Sequence, residues 1–285
     1  MKIPRYFEAN SFPIKILPMA PQTQMELHEH EFNELVVITG GEGTHYTRSE
    51  KYRISQGDVF LIKPGTKHGY DNTRNLYLIN ILYLPENLKL ASYDLVNSPG
   101  YHAFFEVEPA MRKQHGFKSR LHLNGTQLEY LKKLINFMRK ELESGENCSR
   151  FMAASYFMQI IGFIARSYTG TDIPEQMDIL CLGEVISYIE GNYQNRITMA
   201  DLVKKASMSE ITLYRMFKKT FKMSPVNYIL SVRIAAACRL LSESELSISE
   251  TAWRTGFSDS NYFSRVFKKF SGVSPRHYRK RISNP

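Results

Sequence analysis

Residues 12–110 place their apolar side chains in short runs without a helical period. Leu35, Val36, Val37 and Ile38 form a β-branched run, and Gly40, Gly41 and Gly43 close it in what reads as a turn. Residues 58–62 form a second run stopped by Pro64 and Gly65, and residues 76–84 a third closed by Pro85. Short strands separated by turn residues predict a β-sandwich or barrel. The period then changes. Leu128, Leu131, Leu134, Ile135, Met138 and Leu142 fall three and four apart, which predicts one apolar helix face over 127–142. A second helix is expected at 149–167. Its apolar core is interrupted by Gln159 and is shorter than the roughly 20 residues of a membrane span. Gly, Pro and polar residues at 169–175 read as a linker.

The C-terminal third contains one pattern written twice. Arg215, Phe217, Lys218, Lys219, Ser224, Pro225 and Tyr228 recur as Arg265, Phe267, Lys268, Lys269, Ser274, Pro275 and Tyr278. A repeat at fixed spacing marks two copies of one supersecondary unit. Each copy reads as helix, tight turn and basic second helix, which is a helix-turn-helix. After a helix at 180–193, Thr198 is the expected N-cap of 198–206 with Asp201 as partner, and Ser209 caps 210–221. A long helix follows at 224–242. Ser247 caps 248–255, Gly256 makes the turn, and Ser258 is expected to cap 259–271. Periodicity sends Leu213, Met216, Phe217, Phe263, Val266 and Phe267 to the core. It leaves Ile211, Thr212, Tyr214, Arg215 and Lys218 outward on the first reading helix. On the second, Ser260, Asn261, Tyr262, Ser264, Arg265 and Lys268 are outward. Arg pairs with guanine and Asn with adenine, whereas the lysines suit phosphates.

Charge sharpens this division. The net +9 resides entirely in residues 179–285, which hold 17 Lys and Arg against 8 Asp and Glu; residues 1–178 are balanced at 20 each. A neutral body with a basic end fits an anionic partner for that end alone. The three cysteines, Cys148, Cys181 and Cys238, form no C-x-x-C pair or disulfide framework, and the N-terminus lacks a signal-peptide core. A cytoplasmic location without membrane attachment is expected.

Residues 180–281 resemble the AraC/XylS family of bacterial transcription regulators. The segment from Ala252 through Gly256, Tyr262, Phe263, Arg265, Phe267 and Lys268 to Ser274, Pro275 and Tyr278 is similar to that family's signature almost position for position. The resemblance implies promoter DNA and RNA polymerase as partners and a small effector for the other domain.

The second constellation is His28, His30, Glu34 and His68. On one continuous strand, His28, His30 and Glu34 would share a face. With His68 they make a set of three nitrogens and one carboxylate that suits Zn, Mn, Fe or Ni. The spacing resembles the cupin fold. Tyr70, and less directly Tyr46 and His45, are further pocket candidates. Four readings stay open: effector contacts, a metal-dependent sensor, a metalloenzyme with a DNA-binding tail, and histidines with no ligand. Segments within 25–90 are also similar to the L-rhamnose-operon activators of the same family, which implies a carbohydrate effector without fixing which one.

The expected fold is α+β. A cupin jelly roll (1–115) is followed by a helical segment that mediates homodimer contacts (116–168) and a linker (169–178). A DNA-binding domain (179–285) carries units at 198–221 and 247–271 joined by the long helix. The expected function is a sequence-specific, effector-controlled transcription regulator, an activator by resemblance. It is not an enzyme and needs no cofactor, with a metal at the cupin histidines left open. The rival readings are a metal-dependent sensor or cupin metalloenzyme carrying a DNA-binding tail and, second, an architectural DNA binder without a ligand.

Overall fold

The computed structural model describes residues 6–8, 11–17, 21–48, 50–88, 93–111, 121–170 and 174–283. The chain divides into two compact units, Met1–Gly183 and Glu184–Pro285. The fold is α+β: an antiparallel sheet with helices, then a helical unit. The expected boundary near residue 115 lies outside the described residues, as do residues 171–173 of the expected linker.

Seven strands build the first unit: β1 (Ile14–Leu17), β2 (Met25–His28), β3 (Asn33–Thr47), β4 (Lys51–Ser55), β5 (Asp58–Ile62), β6 (His68–Tyr83) and β7 (Leu121–His122). Their order is β1-β6-β3-β5-β7, with β2 also on β6 and β4 also on β3. The long strands β3 and β6 pair from Asn33 opposite Tyr83 to Thr47 opposite His68. The glycines at 40–43 do not turn the chain. They lie inside β3, where the register with β6 shifts at three places. Gly41 has φ +69°, and a Cβ there would sit 1.9 Å from the Asn75 carbonyl oxygen. A β-bulge demands this backbone freedom as strongly as a hairpin does, and the bulge bends the strand.

The bending closes the sheet. Glu34 pairs opposite Leu82, and His68 opposite Thr47. A flat ladder rising about 3.3 Å per residue would hold Glu34 and His68 about 40 Å apart. Their side chains instead approach to 3.4 Å. The sheet therefore wraps over itself as a jelly roll. Val36, Ile38, Ile54, Phe60, Ile62, Tyr70, Leu76 and Leu78 fill its interior.

Helices follow on the outside of the sheet. Short α1 (Pro99–His102) and α2 (Glu108–Met111) flank a π-helical turn, Ala103–Val107. Then come α3 (Gly125–Ser144) and α4 (Ser149–Thr169), which pack against each other. Leu128, Leu131, Leu134, Ile135 and Met138 bury the expected face of α3. Tyr83 of β6 meets Phe157 of α4 at 5.0 Å between ring centres. The next helix, α5 (Pro174–Asn192), begins inside the segment read as linker. Proline is accommodated in a first helical turn, so Pro174 opens a helix there instead of extending a loop.

The second unit contains α6 (Met199–Ala206), α7 (Glu210–Phe221), α8 (Pro225–Glu243), α9 (Ile248–Arg254), α10 (Ser260–Ser271) and α11 (Pro275–Ser283). Thr198 with Asp201 and Ser247 with Glu250 form reciprocal capping boxes on α6 and α9. Ser209 caps α7 as expected, and Ser224 caps α8. Asp259, and not Ser258, caps α10 by accepting the Tyr262 N–H. It stands three residues before that amide, and its charge favours a helix N-terminus. Ile234, Ala237 and Leu241 of α8 pack with Ala252, Phe257, Phe263, Val266 and Phe267. Arg233 of α8 donates from Nε to the Tyr193 carbonyl and from Nη2 to the Asn195 carbonyl, both at 2.8 Å.

The capping boxes give the second unit an acid sensitivity. The Ser247 side chain, then its backbone N–H, holds the Glu250 carboxyl below its ordinary value of 4.5, and Thr198 lowers Asp201 in the same way. A depressed carboxylate contributes stability that is present above its unfolded pKa and lost as pH falls through its folded one. Melting followed by circular dichroism should therefore decline as pH drops below about 4.5. Glu250→Gln, which still caps but does not ionise, should make that decline shallower. Identical acid slopes in the two proteins would contradict the assignment.

Candidate functional site

The histidine cluster forms at the closure of the jelly roll. His28 ends β2, His30 lies in the turn that follows, Glu34 belongs to β3, and His68 opens β6. His28 and His30 thus do not share one strand face as expected. The chain leaves the sheet after His28, and the turn swings His30 back onto Glu34. His30 Nε2 is 2.8 Å from Glu34 Oε2, and His68 Nε2 is 3.4 Å from the same oxygen. The His28 and His68 ring centres are 4.1 Å apart. Phe32 stacks on His30 at 4.2 Å with the planes 2° from parallel. Tyr70 and His45 line the same interior, their ring centres 5.2 Å apart. Tyr46 instead donates from its hydroxyl to the Met25 carbonyl and holds β2 in place.

Electrostatics concentrate on Glu34. Burial alone would push its carboxyl up, but hydrogen bonds from His30 and His68, with their charges, outweigh that and hold it at about 2. Burial lowers the His28 pKa, and repulsion from His68 adds to it. Each of the three rings places Nδ1 against a backbone carbonyl: His28 on Glu26, His30 on Phe32, and His68 on Thr66, at 2.8–3.0 Å. A carbonyl only accepts, so Nδ1 carries hydrogen in each ring. The ligand atoms of His30, Glu34 and His68 all lie within 4.8 Å of one another. These are the residues that could hold a metal.

A cavity of about 220 Å³ adjoins the cluster through His45, whose ring centre is 5.7 Å from that of His68. Arg48, Lys63, Lys67 and Glu29 stand around it. Sequence reading missed this largely basic rim, because its residues come from three separate loops and strand ends. A second cavity of about 370 Å³ lies between the sheet and α4, lined by Asn33, Tyr83, Tyr101, Phe105, Phe157 and Ile161.

In the second unit the reading helices are sorted as their period predicts. On α7, Leu213 and Phe217 are buried and Met216 is half-buried; Ile211 is 82% exposed, and Tyr214, Arg215 and Lys218 are exposed. Thr212 is half-buried and shares the cap, its hydroxyl 2.9 Å from that of Ser209. On α10, Phe263, Val266 and Phe267 are buried, and Asn261, Tyr262, Arg265 and Lys268 are exposed. Ser260 and Ser264 are half-buried. Lys218 lies 5.9 Å over the Tyr214 ring and Arg265 lies 5.8 Å over that of Tyr262, so each helix presents a cation beside an aromatic ring. Trp253 of α9 is 79% exposed, a feature that the period did not single out. Among the described residues no helix is long and apolar enough to cross a membrane.

Comparison with known proteins agrees with this division. Residues 15–153 match the AraC-like ligand binding domain, and residues 202–281 match a helix-turn-helix domain. The chain is 30% identical over 277 residues to the HTH-type transcriptional activator RhaR of Mannheimia succiniciproducens, covering 97% of this chain and 95% of that one. It is 32% identical to RhaR of an Enterobacter species, covering 92% of this chain and 89% of that one. RhaS of the same Enterobacter is 27% identical, covering 96% and 94%.

Proposed function

The chain belongs to the AraC family of transcription regulators, and from that premise we propose that it is a carbohydrate-responsive activator that grips promoter DNA with two helix-turn-helix units. The observation that carries the DNA reading is the pair of exposed cation-bearing faces on α7 and α10. Arg215 and Arg265, with Asn261, read base edges. Ile211, Thr212, Tyr214, Ser260 and Tyr262 shape the contact. Lys218 and Lys268 hold phosphates. The 19 residues of α8 span about 29 Å at 1.5 Å per residue. Successive major grooves on one face of DNA are about 34 Å apart, so one chain can engage both.

The effector side rests on the jelly-roll interior. His28, His30, Glu34, His68 and Tyr70 supply its polar end, and the adjoining cavity offers space for a small polyhydroxyl ligand such as rhamnose or a related sugar. The relatives named above are activators by name, which supports activation and contact with RNA polymerase, and a regulator in place of an enzyme. Exposed Tyr130, Phe137 and Phe151 on α3 and α4 support a homodimer through that helix pair. The effector switches the protein only by binding one state of it more tightly than another.

Two substitutions separate base reading from phosphate contact. Arg215→Ala should weaken binding to a specific site by about 1–3 kcal/mol and relax preference at one base position. Lys268→Ala should weaken all sequences alike and flatten the salt dependence. Fluorescence anisotropy at several salt concentrations reads both effects, and swapped outcomes would reverse the two roles. A thermal shift against a panel of neutral sugars tests the effector reading, which fails if none raises the melting temperature.

A further inference from the structure

We propose that the cavity of about 370 Å³ between the sheet and α4 is a second small-molecule site, and that it takes a small aromatic amine. Its volume lies within the roughly 300–1,000 Å³ of small-molecule sites. Its place in the fold separates it from the jelly-roll interior. Side chains alternate along a strand, so β3 turns Glu34 and Val36 inward and Asn33 outward, towards α4. Tyr83, paired opposite Asn33, meets Phe157 of α4 on that same outer side. Among the described residues, only Lys63 lines both cavities.

Three features mark this cavity as built for a ligand. Asn33 is 3% exposed, yet its Oδ1 has no hydrogen-bond partner among the described residues. A buried acceptor is costly unless a donor meets it, and this one borders the cavity. The π-helical turn Ala103–Val107 brings Phe105 and Glu106 to the cavity wall. Such turns are rare and occur frequently at functional sites. Gly162 of α4 also lines the cavity, and a Cβ there would enter open space. Glycine weakens a helix relative to alanine, and what it yields here is room at the wall.

The lining selects the chemistry of the ligand. Tyr83, Tyr101, Phe105 and Phe157 supply flat apolar walls that suit a ring. The π faces of such rings are negative and attract an organic cation. Asp94 and Glu106 add two carboxylates against the one ammonium of Lys63. Negative charge therefore exceeds positive charge around the cavity, and Asn33 Oδ1 adds a further acceptor. An ammonium group donates three hydrogen bonds and accepts none, which matches this surplus. A carboxylate ligand would instead meet two groups of its own charge. The exposed Tyr93 and Asp94 mark the mouth. A bound amine would rest on α4 and the π turn, on the other side of the sheet from the histidine cluster.

Calorimetric titration of the full chain with phenethylamine, phenethyl alcohol and phenylacetate tests the proposal. The three probes share a ring and a short chain and differ in charge. The amine should bind tightest, ahead of the alcohol by roughly threefold to tenfold, and the acid weakest. Gly162→Leu fills the open space with a residue that favours a helix, and should weaken the amine roughly tenfold or more. Asn33→Val removes the buried acceptor and suits a strand, and should weaken it by about the same factor. Both variants should keep the wild-type circular dichroism spectrum, so that the loss reads the cavity and not the fold. No binding of the amine by the wild-type chain at millimolar concentration would overturn the site. So would an amine no tighter than the alcohol or the acid, or binding unchanged in both variants. Thermal shifts with sugars keep this site apart from the effector reading. A sugar response should persist in Gly162→Leu, and its loss there alone would contradict two separate sites. Amine binding without any sugar response removes only the carbohydrate effector.

Discussion

The meeting of Glu34 with His68 governs the sensing unit. These residues stand at opposite ends of the β3–β6 ladder, yet their side chains touch. That contact exists only because the two longest strands bend. The bending comes from register shifts around Gly40, Gly41 and Gly43 and from the left-handed residues Asn72 and Asn75 in β6. Closure creates an interior that is apolar over much of its length and polar at one end. The polar end gathers histidines from β2, the β2–β3 turn and β6 around one buried carboxylate. Charged groups that are removed from water must be satisfied by partners, and here they satisfy one another at close range.

The DNA-binding unit follows a different logic, in which local signals agree at every level. Caps define where each helix begins, the three- and four-residue spacing defines its buried face, and the repeat ensures that both units present the same chemistry. Phe217 and Phe267 hold equivalent core positions, and Tyr228 and Tyr278 close on them at 5.6 and 5.5 Å. The outward positions are then free to vary without loss of fold, which is where specificity for a sequence can reside.

Legibility differed between the units for that reason. Helix limits in 198–271 were readable to within a residue or two, since capping and periodicity are local. Asp259 was missed as a cap because Ser258 offers the same chemistry one position earlier. In the sheet, strands β5 and the later part of β6 were readable from β-branched runs. The course of β3 was not, because a glycine cluster signals a bulge and a turn equally. His28, His30, Glu34 and His68 were identified as a group by residue type and spacing. Their convergence depends on a turn and on closure of the sheet, neither of which a strand period encodes. The basic rim of Arg48, Lys63 and Lys67 depends on closure too.

The central claim is that one chain reads two successive major grooves through α7 and α10. Selection of bound duplexes from a random pool by the full protein, followed by sequencing, tests it most directly. The account predicts paired motifs with centres about 10 base pairs apart, a pair that a dimer would repeat. Recovery of a single short motif, or of duplexes without any shared sequence, would contradict it.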